Sequence, residues 1–240
     1  MGNLLTLFAC KRYARKVLST RPIAYWVLGE ASGTVAYDAS GNARHGTHTG
    51  VDLGLPGIGD GRTAPFYDGA NDFTNIYSAS LAGAFNGAEG TLMVWMKAAN
   101  AGVWTDGTER FLGFLRADGN NVVRIAKPTT ANLMRLLYIA GGTSKTVDIA
   151  CTAEVWQQLA LSWSRSAGAN GEVRAYLNGA QSGSILTSLG TWVGALASNS
   201  TLLGSNFVAP VNVWHGNLGH AAVWSRALTP AEIAALAQVN

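Results

Sequence analysis

Residues 92–97 read Leu92-Met93-Val94-Trp95-Met96-Lys97, a run in which large apolar side chains alternate along the chain. In an extended segment, successive side chains point to opposite faces of a sheet. Leu92, Val94 and Met96 would therefore share one face, opposite Met93, Trp95 and Lys97. Residues 159–164, Leu-Ala-Leu-Ser-Trp-Ser, repeat this alternation. Each run predicts a strand that buries one face in a β sandwich.

Comparable short runs, punctuated by Gly, Asn and Asp, continue from Ile23 to Trp224. This pattern is typical of many short strands joined by tight turns. The runs are too numerous for a small barrel, and they fit two packed antiparallel sheets. The sequence therefore predicts an all-β fold with a two-sheet antiparallel sandwich.

The two ends of the chain differ from this β body. Residues 3–19 contain no Gly or Pro and favour a short helix with a basic face, which Pro22 ends. At the other end, Thr229-Pro230-Ala231-Glu232 has the order of a capping box and predicts a short C-terminal helix. We expect an N-terminal basic arm over residues 1–21 and one domain over residues 22–240. The predicted partner-docking residues of the arm are Leu4, Leu5, Phe8, Lys11, Arg12, Arg15 and Lys16.

Composition limits the classes of function. The 240 residues are 48% hydrophobic and only 13% charged, with a net charge of +3. A weakly charged surface suits a protein packed in an assembly or placed outside the cell. Because the positive charge is concentrated in the first two dozen residues, nucleic acid is not the expected partner. No stretch is long enough to predict a transmembrane segment, the N-terminal run does not have the order of a secretory signal, and Cys10 and Cys151 are expected to be free thiols.

Six segments recur in the order and spacing of one known family. They are residues 24–33 (AYWVLGEASG), 38–42 (DASGN), 66–73 (FYDGANDF), 91–97, 176–179 (YLNG) and 222–229 (AVWSRALT). Together they resemble laminin G-like jelly-roll domains of the concanavalin A-like kind, in the three-segment type found in bacteria and phages. The resemblance covers residues 22–238, leaves the arm outside, and implies a jelly-roll sandwich with a lectin-like character.

The segment Asp38-Ala39-Ser40-Gly41-Asn42 permits two interpretations. It can be a structural turn whose Asp carboxylate accepts backbone N–H bonds. As in some relatives, Glu30, Asp38 and Asn42 can instead supply oxygen ligands for a structural Ca²⁺ ion. Relatives commonly carry an acidic residue where this chain has Gly219 and His220, and that departure counts against a complete calcium site.

No motif predicts an enzyme. A retaining glycoside hydrolase on this scaffold needs two carboxylates on one strand, and the chain has no Glu-x-Asp-x-x-Glu run. No Gly-x-Ser-x-Gly elbow or phosphate-binding loop occurs either. We expect no catalytic residues.

The tryptophans divide into two groups. Trp26, Trp95, Trp163 and Trp224 lie in predicted strands and are expected in the core. Trp104, Trp192 and Trp214 lie in Gly- and Asn-rich loops, and these three are the predicted ligand-binding aromatics, although packing within the loops is the alternative.

Two functions are compatible with these features. The first is a non-enzymatic structural or adhesion protein on the virion surface of a tailed phage, as a capsid decoration or tail protein. Its arm would dock on a capsid or tail protein or on a second copy of the chain, and its domain would display a possible site for cell-surface glycans. The alternative is an extracellular or cell-surface carbohydrate-binding module with a structural calcium site.

Overall fold

The computed structural model describes residues 4–239, with side chains from residue 12 onward. The described helices are α1 (Leu4–Ser19), α2 (Ala79–Ala84), α3 (Ala101–Thr105) and α4 (Pro230–Leu236). The described strands are β1 (Ala24–Trp26), β2 (Val35–Ala36), β3 (Gly46–Thr49), β4 (Asp52–Pro56), β5 (Thr63–Asp68), β6 (Phe73–Asn75), β7 (Glu89–Ala98), β8 (Arg110–Asp118), β9 (Asn121–Lys127), β10 (Leu133–Ala140), β11 (Thr143–Ala150), β12 (Gln157–Ser164), β13 (Glu172–Leu177), β14 (Ala180–Thr187), β15 (Thr201–Leu203) and β16 (His215–Trp224).

The strands form two eight-stranded sheets, in which the paired strands are antiparallel. Sheet 1 has the order β14-β13-β12-β7-β16-β5-β4, with β1 also paired to β16. Sheet 2 has the order β11-β10-β9-β8-β15-β6-β3-β2. Neighbours that are distant in sequence, such as β7 and β16, give the sandwich its jelly-roll connectivity. The predicted all-β sandwich with a helix at each end is confirmed.

The main core lies between the two sheets. Leu92, Val94 and Met96 of β7 are fully buried there, as the alternation of residues 92–97 predicts. Trp163 of β12 also packs inward, and it needs the absent side chain of Gly90 on the neighbouring strand. A Cβ atom at residue 90 would lie 2.2 Å from the Trp163 ring. The sequence pattern therefore encodes both the face and the shape of this core.

The outer face of sheet 1 is also buried, which the strand pattern alone did not predict. A second apolar cluster covers it, with Trp95 of β7 and Trp224 of β16 beneath helices α1 and α4. Tyr13 of α1 accepts a hydrogen bond from Trp95 Nε1 at 2.6 Å and donates to the Leu236 carbonyl at 2.8 Å. Both faces of β7 are therefore inside the protein.

The predicted arm is helical, and its second half packs on the sandwich. Tyr13 and Val17 are fully buried in the second cluster, whereas Arg12 and Arg15 on the same helix are exposed. Lys16 Nζ donates to the Gln238 carbonyl at 2.5 Å. The side chains of Leu4, Leu5, Phe8 and Lys11 lie outside the described residues. None of the helices in the described part of the chain is both long and apolar enough to cross a membrane.

Helix α4 begins with the predicted capping box. The Glu232 N–H donates to Thr229 Oγ1 at 3.2 Å, and the Thr229 N–H donates to Glu232 Oε2 at 2.8 Å. Two N–H groups that lack a partner within the helix are thereby satisfied. Ile233 and Leu236 then pack on the outer face of sheet 1.

Candidate functional site

An open cleft of about 320 Å³ lies between the segment that follows β1 and the hairpin formed by β4 and β5. It is lined by Val27, Gly29, Glu30, Tyr37, Ala39 and Arg62. Thr63 Oγ1 donates to the Gly29 carbonyl at 2.9 Å, so the two walls of the cleft are joined at its base.

The exposed ring of Tyr37 forms one side of the cleft. Tyr37 is 59% exposed, more than most large apolar or aromatic residues of a folded domain. The His45 ring meets it edge-on, with 5.4 Å between the ring centroids. His45 Nδ1 in turn accepts the Asp38 N–H at 3.0 Å, so the His45 ring that supports Tyr37 is itself held in place. The site therefore presents an aromatic face with a supported orientation.

Glu30 lines the same cleft, but its carboxylate faces inward. Oε1 accepts the Tyr37 N–H at 2.9 Å, and the buried Oε2 lies 3.6 Å from His48 Nε2. Burial acts to raise the pKa of the Glu30 carboxyl, but the attraction of His48 and the Tyr37 N–H outweigh it and hold the pKa below its ordinary value. Glu30 is therefore ionised at neutral pH and fixes the backbone at Tyr37.

A buried polar chain continues behind Glu30. His48 Nδ1 lies 2.9 Å from Thr74 Oγ1, and the Tyr67 hydroxyl lies 2.7 Å from the same oxygen. Burial raises the pKa of Tyr67 far above its ordinary value, so this hydroxyl stays protonated. The chain connects Glu30, which lines the cleft, to strands β3, β6 and β5 through buried polar contacts.

A second buried network supports the opposite wall. The Arg62 N–H donates to Asp60 Oδ1 at 3.0 Å, and Asp60 Oδ2 lies 3.2 Å from His220 Nε2. His220 Nδ1 is 2.6 Å from the Tyr25 hydroxyl. Burial acts to raise the pKa of Asp60, but His220 outweighs it and the pKa is lowered. His220 is thus the partner of a buried aspartate.

The Asp38 turn is formed by hydrogen bonds to its carboxylate. Asp38 Oδ1 accepts the N–H groups of Tyr25 and Ser40 at 3.0 and 2.8 Å, and Oδ2 accepts the Arg44 N–H and the Ser40 hydroxyl at 2.9 and 2.8 Å. Asn42 points its amide nitrogen at the Ile23 carbonyl, 3.0 Å away.

This donor pattern does not fit a set of calcium ligands. Both Asp38 oxygens face N–H and O–H donors, and of the Glu30 oxygens one accepts the Tyr37 N–H and the other is buried beside His48. Among the described residues, no group of three or more His, Cys, Asp or Glu side chains is placed to hold a metal ion. Calcium binding by Glu30, Asp38 and Asn42 therefore stays a prediction from resemblance.

The structure buries two of the three loop tryptophans. Trp104 and Trp214 are only 2% and 0% exposed, so neither ring can stack on a ligand. Trp104 lies in helix α3 and donates to the Cys151 carbonyl at 2.8 Å, and Trp214 donates to the Asn217 carbonyl at 3.3 Å. Trp192 is half-buried and packs against Phe85, with 5.3 Å between the ring centroids. Trp104 and Trp214 belong to the main core cluster, which overturns the expectation of stacking at these two residues, and ligand binding by Trp192 stays a prediction.

Sequence reasoning missed Tyr37 and Arg62. Tyr37 directly precedes the Asp38 turn, and a residue beside a surface turn is often exposed. The position of Tyr37 beside the turn therefore indicated exposure, but it did not distinguish Tyr37 from the other aromatic residues. Two further clefts in the described structure lack an exposed ring. One, of about 360 Å³, has no aromatic residue in its lining, and the other, of about 220 Å³, has only the fully buried Trp163.

Comparison with known families gives one match. Residues 68–234 match the laminin G-like family described as the concanavalin A-like lectin/glucanases superfamily. The matched span begins after the residues of the cleft. A search of curated protein sequences finds no match.

Solved structures share the fold at low sequence identity. Domain 4 of an extracellular arabinanase from Geobacillus stearothermophilus, solved in complex with arabinotriose, is 21% identical with a TM-score of 0.59, and the alignment covers 91% of this chain and 98% of that one. The receptor-binding domain of a botulinum neurotoxin C/D mosaic serotype is 10% identical with a TM-score of 0.67, over 91% of this chain and 51% of that one. A Trypanosoma rangeli sialidase mutant is 13% identical with a TM-score of 0.63, over 97% of this chain and 37% of that one.

Proposed function

Because this chain belongs to the concanavalin A-like lectin/glucanase superfamily, we propose that it is a non-catalytic, lectin-like domain that binds a saccharide in the cleft beside Tyr37. The observation that carries the proposal is the exposed Tyr37 ring, held by His45 at the mouth of a cleft that also contains Arg62.

The chemistry of the cleft suits a sugar. A pyranose or furanose ring presents one face of C–H groups, which packs on an aromatic ring, and an edge of hydroxyls that need hydrogen-bond partners. Tyr37 supplies the ring, and Arg62 supplies donors. Because the turn and the His45 contact already hold Tyr37, binding loses little conformational entropy at this side chain. The arabinotriose bound to domain 4 of the arabinanase supports the same ligand class.

The ionisation of Glu30 supports binding in preference to hydrolysis. Glycoside hydrolysis needs a carboxylic acid with a raised pKa and a second carboxylate across the scissile bond. The pKa of Glu30 is lowered, and its Oε2 faces His48 in the interior. Glu30 therefore positions the site and is a poor general acid.

A glycan array followed by calorimetry tests the proposal. The wild-type protein should bind a defined saccharide, and Tyr37→Ala should weaken that binding about tenfold, which corresponds to one aromatic contact. Tyr37→Phe keeps the ring and serves as the matched control, with affinity within about threefold of wild type. Failure of the wild type to bind any saccharide, or equal affinity of Tyr37→Ala, would refute the proposal.

A second candidate function is display on the virion of a tailed phage, as a capsid decoration or tail protein. The observation that favours it is the two-sided character of α1, which buries Tyr13 and Val17 but leaves Arg12 and Arg15 exposed. The exposed basic side would face an acidic patch on a capsid or tail protein or on a second copy of the chain. Sedimentation of the protein with purified particles should succeed for the wild type and fail for Arg12→Glu/Arg15→Glu. Saccharide binding without particle binding would instead favour an extracellular or cell-surface module.

A further inference from the structure

The two charged side chains of the cleft face different ways. Glu30 and Arg62 carry opposite charges, and both line the cavity. The Glu30 side chain is only 11% exposed, and its Oε2 has essentially no contact with solvent. Its oxygens are directed at the Tyr37 N–H and at His48. The negative charge of the cleft is therefore already in contact with protein partners.

Arg62, by contrast, is exposed, and in the described structure its guanidinium makes no hydrogen bond or ion pair. Other arginines do make such contacts. Arg135 pairs with Asp148 at 2.7 Å, and Arg226 pairs with Glu232 at 2.6 Å. An arginine head has five N–H donors in one plane, a geometry that matches a carboxylate. The donors of Arg62 are available to a ligand.

The nearest acidic side chain behind Arg62 does not neutralise it by direct contact. Asp60 is attracted to Arg62, but its side chain is 0% exposed and its Oδ2 faces His220 at 3.2 Å. Asp60 instead accepts the backbone N–H of Arg62, which fixes the position of this residue at the tip of the hairpin. The charge that the cleft presents to solvent is therefore positive.

We infer that the cleft selects acidic saccharides, with Arg62 binding the sugar carboxylate while Tyr37 packs against the ring. This inference rests on the proposed function and adds the class of ligand. Uronic acids and sialic acids both carry the required carboxylate. Arg62 is thus a specificity-determining residue, and Tyr37 contributes affinity for neutral and acidic sugars alike.

The test compares matched ligands that differ in one charge. Calorimetry at low salt would compare the affinity for a galacturonate trisaccharide with that for its methyl ester, and the affinity for sialyllactose with that for lactose. We expect at least one acidic member to bind about tenfold or more tightly than its neutral partner, because a charge-assisted bidentate contact is involved. This preference should decrease as the salt concentration rises.

Three arginine variants, two at Arg62 and one at Arg12, separate the specific effect from the effect of overall charge. Arg62→Gln should abolish the preference for the acidic ligand and leave the affinity for the neutral partner nearly unchanged, and Arg62→Lys should retain part of the preference. Arg12→Gln removes one positive charge from the exposed side of α1, and it should keep the full preference.

The inference and the proposed function fail in different ways. Equal wild-type affinity within both ligand pairs, or a preference that survives in Arg62→Gln, overturns the inference and leaves saccharide binding intact. Loss of binding in Tyr37→Ala together with no effect of Arg62→Gln likewise overturns the inference alone. If the wild type binds none of the four ligands and none on the array, both conclusions fall.

Discussion

The Asp38 carboxylate organises the wall of the cleft that carries Tyr37. It accepts three backbone N–H groups and one hydroxyl, and the residue is only 7% exposed. Burial acts to raise the pKa of Asp38, but these hydrogen bonds outweigh it and lower the pKa below 3.8. The ionised carboxylate therefore stabilises the folded protein above its unfolded pKa, and this contribution is lost as the pH falls through the lower folded value.

We predict that Asp38→Ala lowers the free energy of unfolding by about 2–4 kcal/mol, because it leaves several partly buried N–H groups without partners. Urea denaturation at neutral pH measures this loss. The loss should be the same with added Ca²⁺ and with a chelator, since Asp38 faces hydrogen-bond donors. If Ca²⁺ raises the free energy of unfolding of the wild type but not that of Asp38→Ala, the calcium site would be established instead.

Single residues also show where sequence reasoning stopped. The Asp38 turn can be predicted from the sequence, because aspartate, serine, glycine and asparagine favour turns through their own backbone and side-chain geometry. The burial of Trp104 and Trp214 cannot be predicted from the local sequence, because it depends on packing against distant parts of the chain. The cleft beside Tyr37 depends on the position of the β4–β5 hairpin, which carries Arg62 and which no local sequence pattern specifies.

Elements with a strong local pattern were predicted well. The alternation in residues 92–97 and 159–164 identified β7 and β12, and the capping box identified α4. Strands β2, β3, β4 and β14 lack such a pattern, because they are short or carry few large apolar side chains. Most residues of β14 are exposed, and the strand is held by its pairing with β13. Pairing between strands is a tertiary contact that the sequence of one strand does not reveal.

At acidic pH, the free energy of unfolding should depend on the ionisation of Glu232 in the first turn of α4. The Arg226 ion pair lowers the pKa of Glu232 from 4.5 to about 2, against the effect of burial and with help from Thr229. The ionised Glu232 carboxylate therefore stabilises the folded protein fully above pH 4.5, and this contribution is lost as the pH falls toward about 2. We predict that Glu232→Gln costs about 1 kcal/mol at pH 7, as expected for a cap with an exposed ion pair.

Urea denaturation across this pH range checks the prediction for Glu232. The wild type and Glu232→Gln should converge in stability near pH 2. The exposed Glu154 offers a control, and Glu154→Gln should follow the wild-type curve throughout. A constant difference between the wild type and Glu232→Gln at all pH values would show that the ionisation of Glu232 has no part in stabilising the helix.

At the scale of the whole molecule, the two ends of the chain cover one sheet together. Tyr13 of α1 and Leu236 of α4 are 223 positions apart in sequence and are joined by a 2.8 Å hydrogen bond. Thr20 accepts a hydrogen bond from Trp224 Nε1 at 3.0 Å, and its carbonyl accepts one from Arg226 at 3.1 Å. The sequence predicted both helices. It did not predict that they meet, because only the tertiary fold brings these residues together.

This arrangement predicts that the N-terminal helix is part of the stable fold. Deletion of residues 1–21 uncovers Trp95 and Trp224, and Tyr13→Ala removes the hydroxyl that joins Trp95 to the Leu236 carbonyl of α4. We expect Tyr13→Ala to cost about 3–4 kcal/mol, a decrease in Tm of roughly 10 °C for a chain of this length. The deletion should cost more and should bind a hydrophobic dye. Arg12→Glu/Arg15→Glu changes only the exposed side and should melt with the wild type, as differential scanning calorimetry can show. If the deletion variant melts within about 3 °C of the full-length protein, residues 1–21 are a separable arm and the cover over sheet 1 does not stabilise the domain.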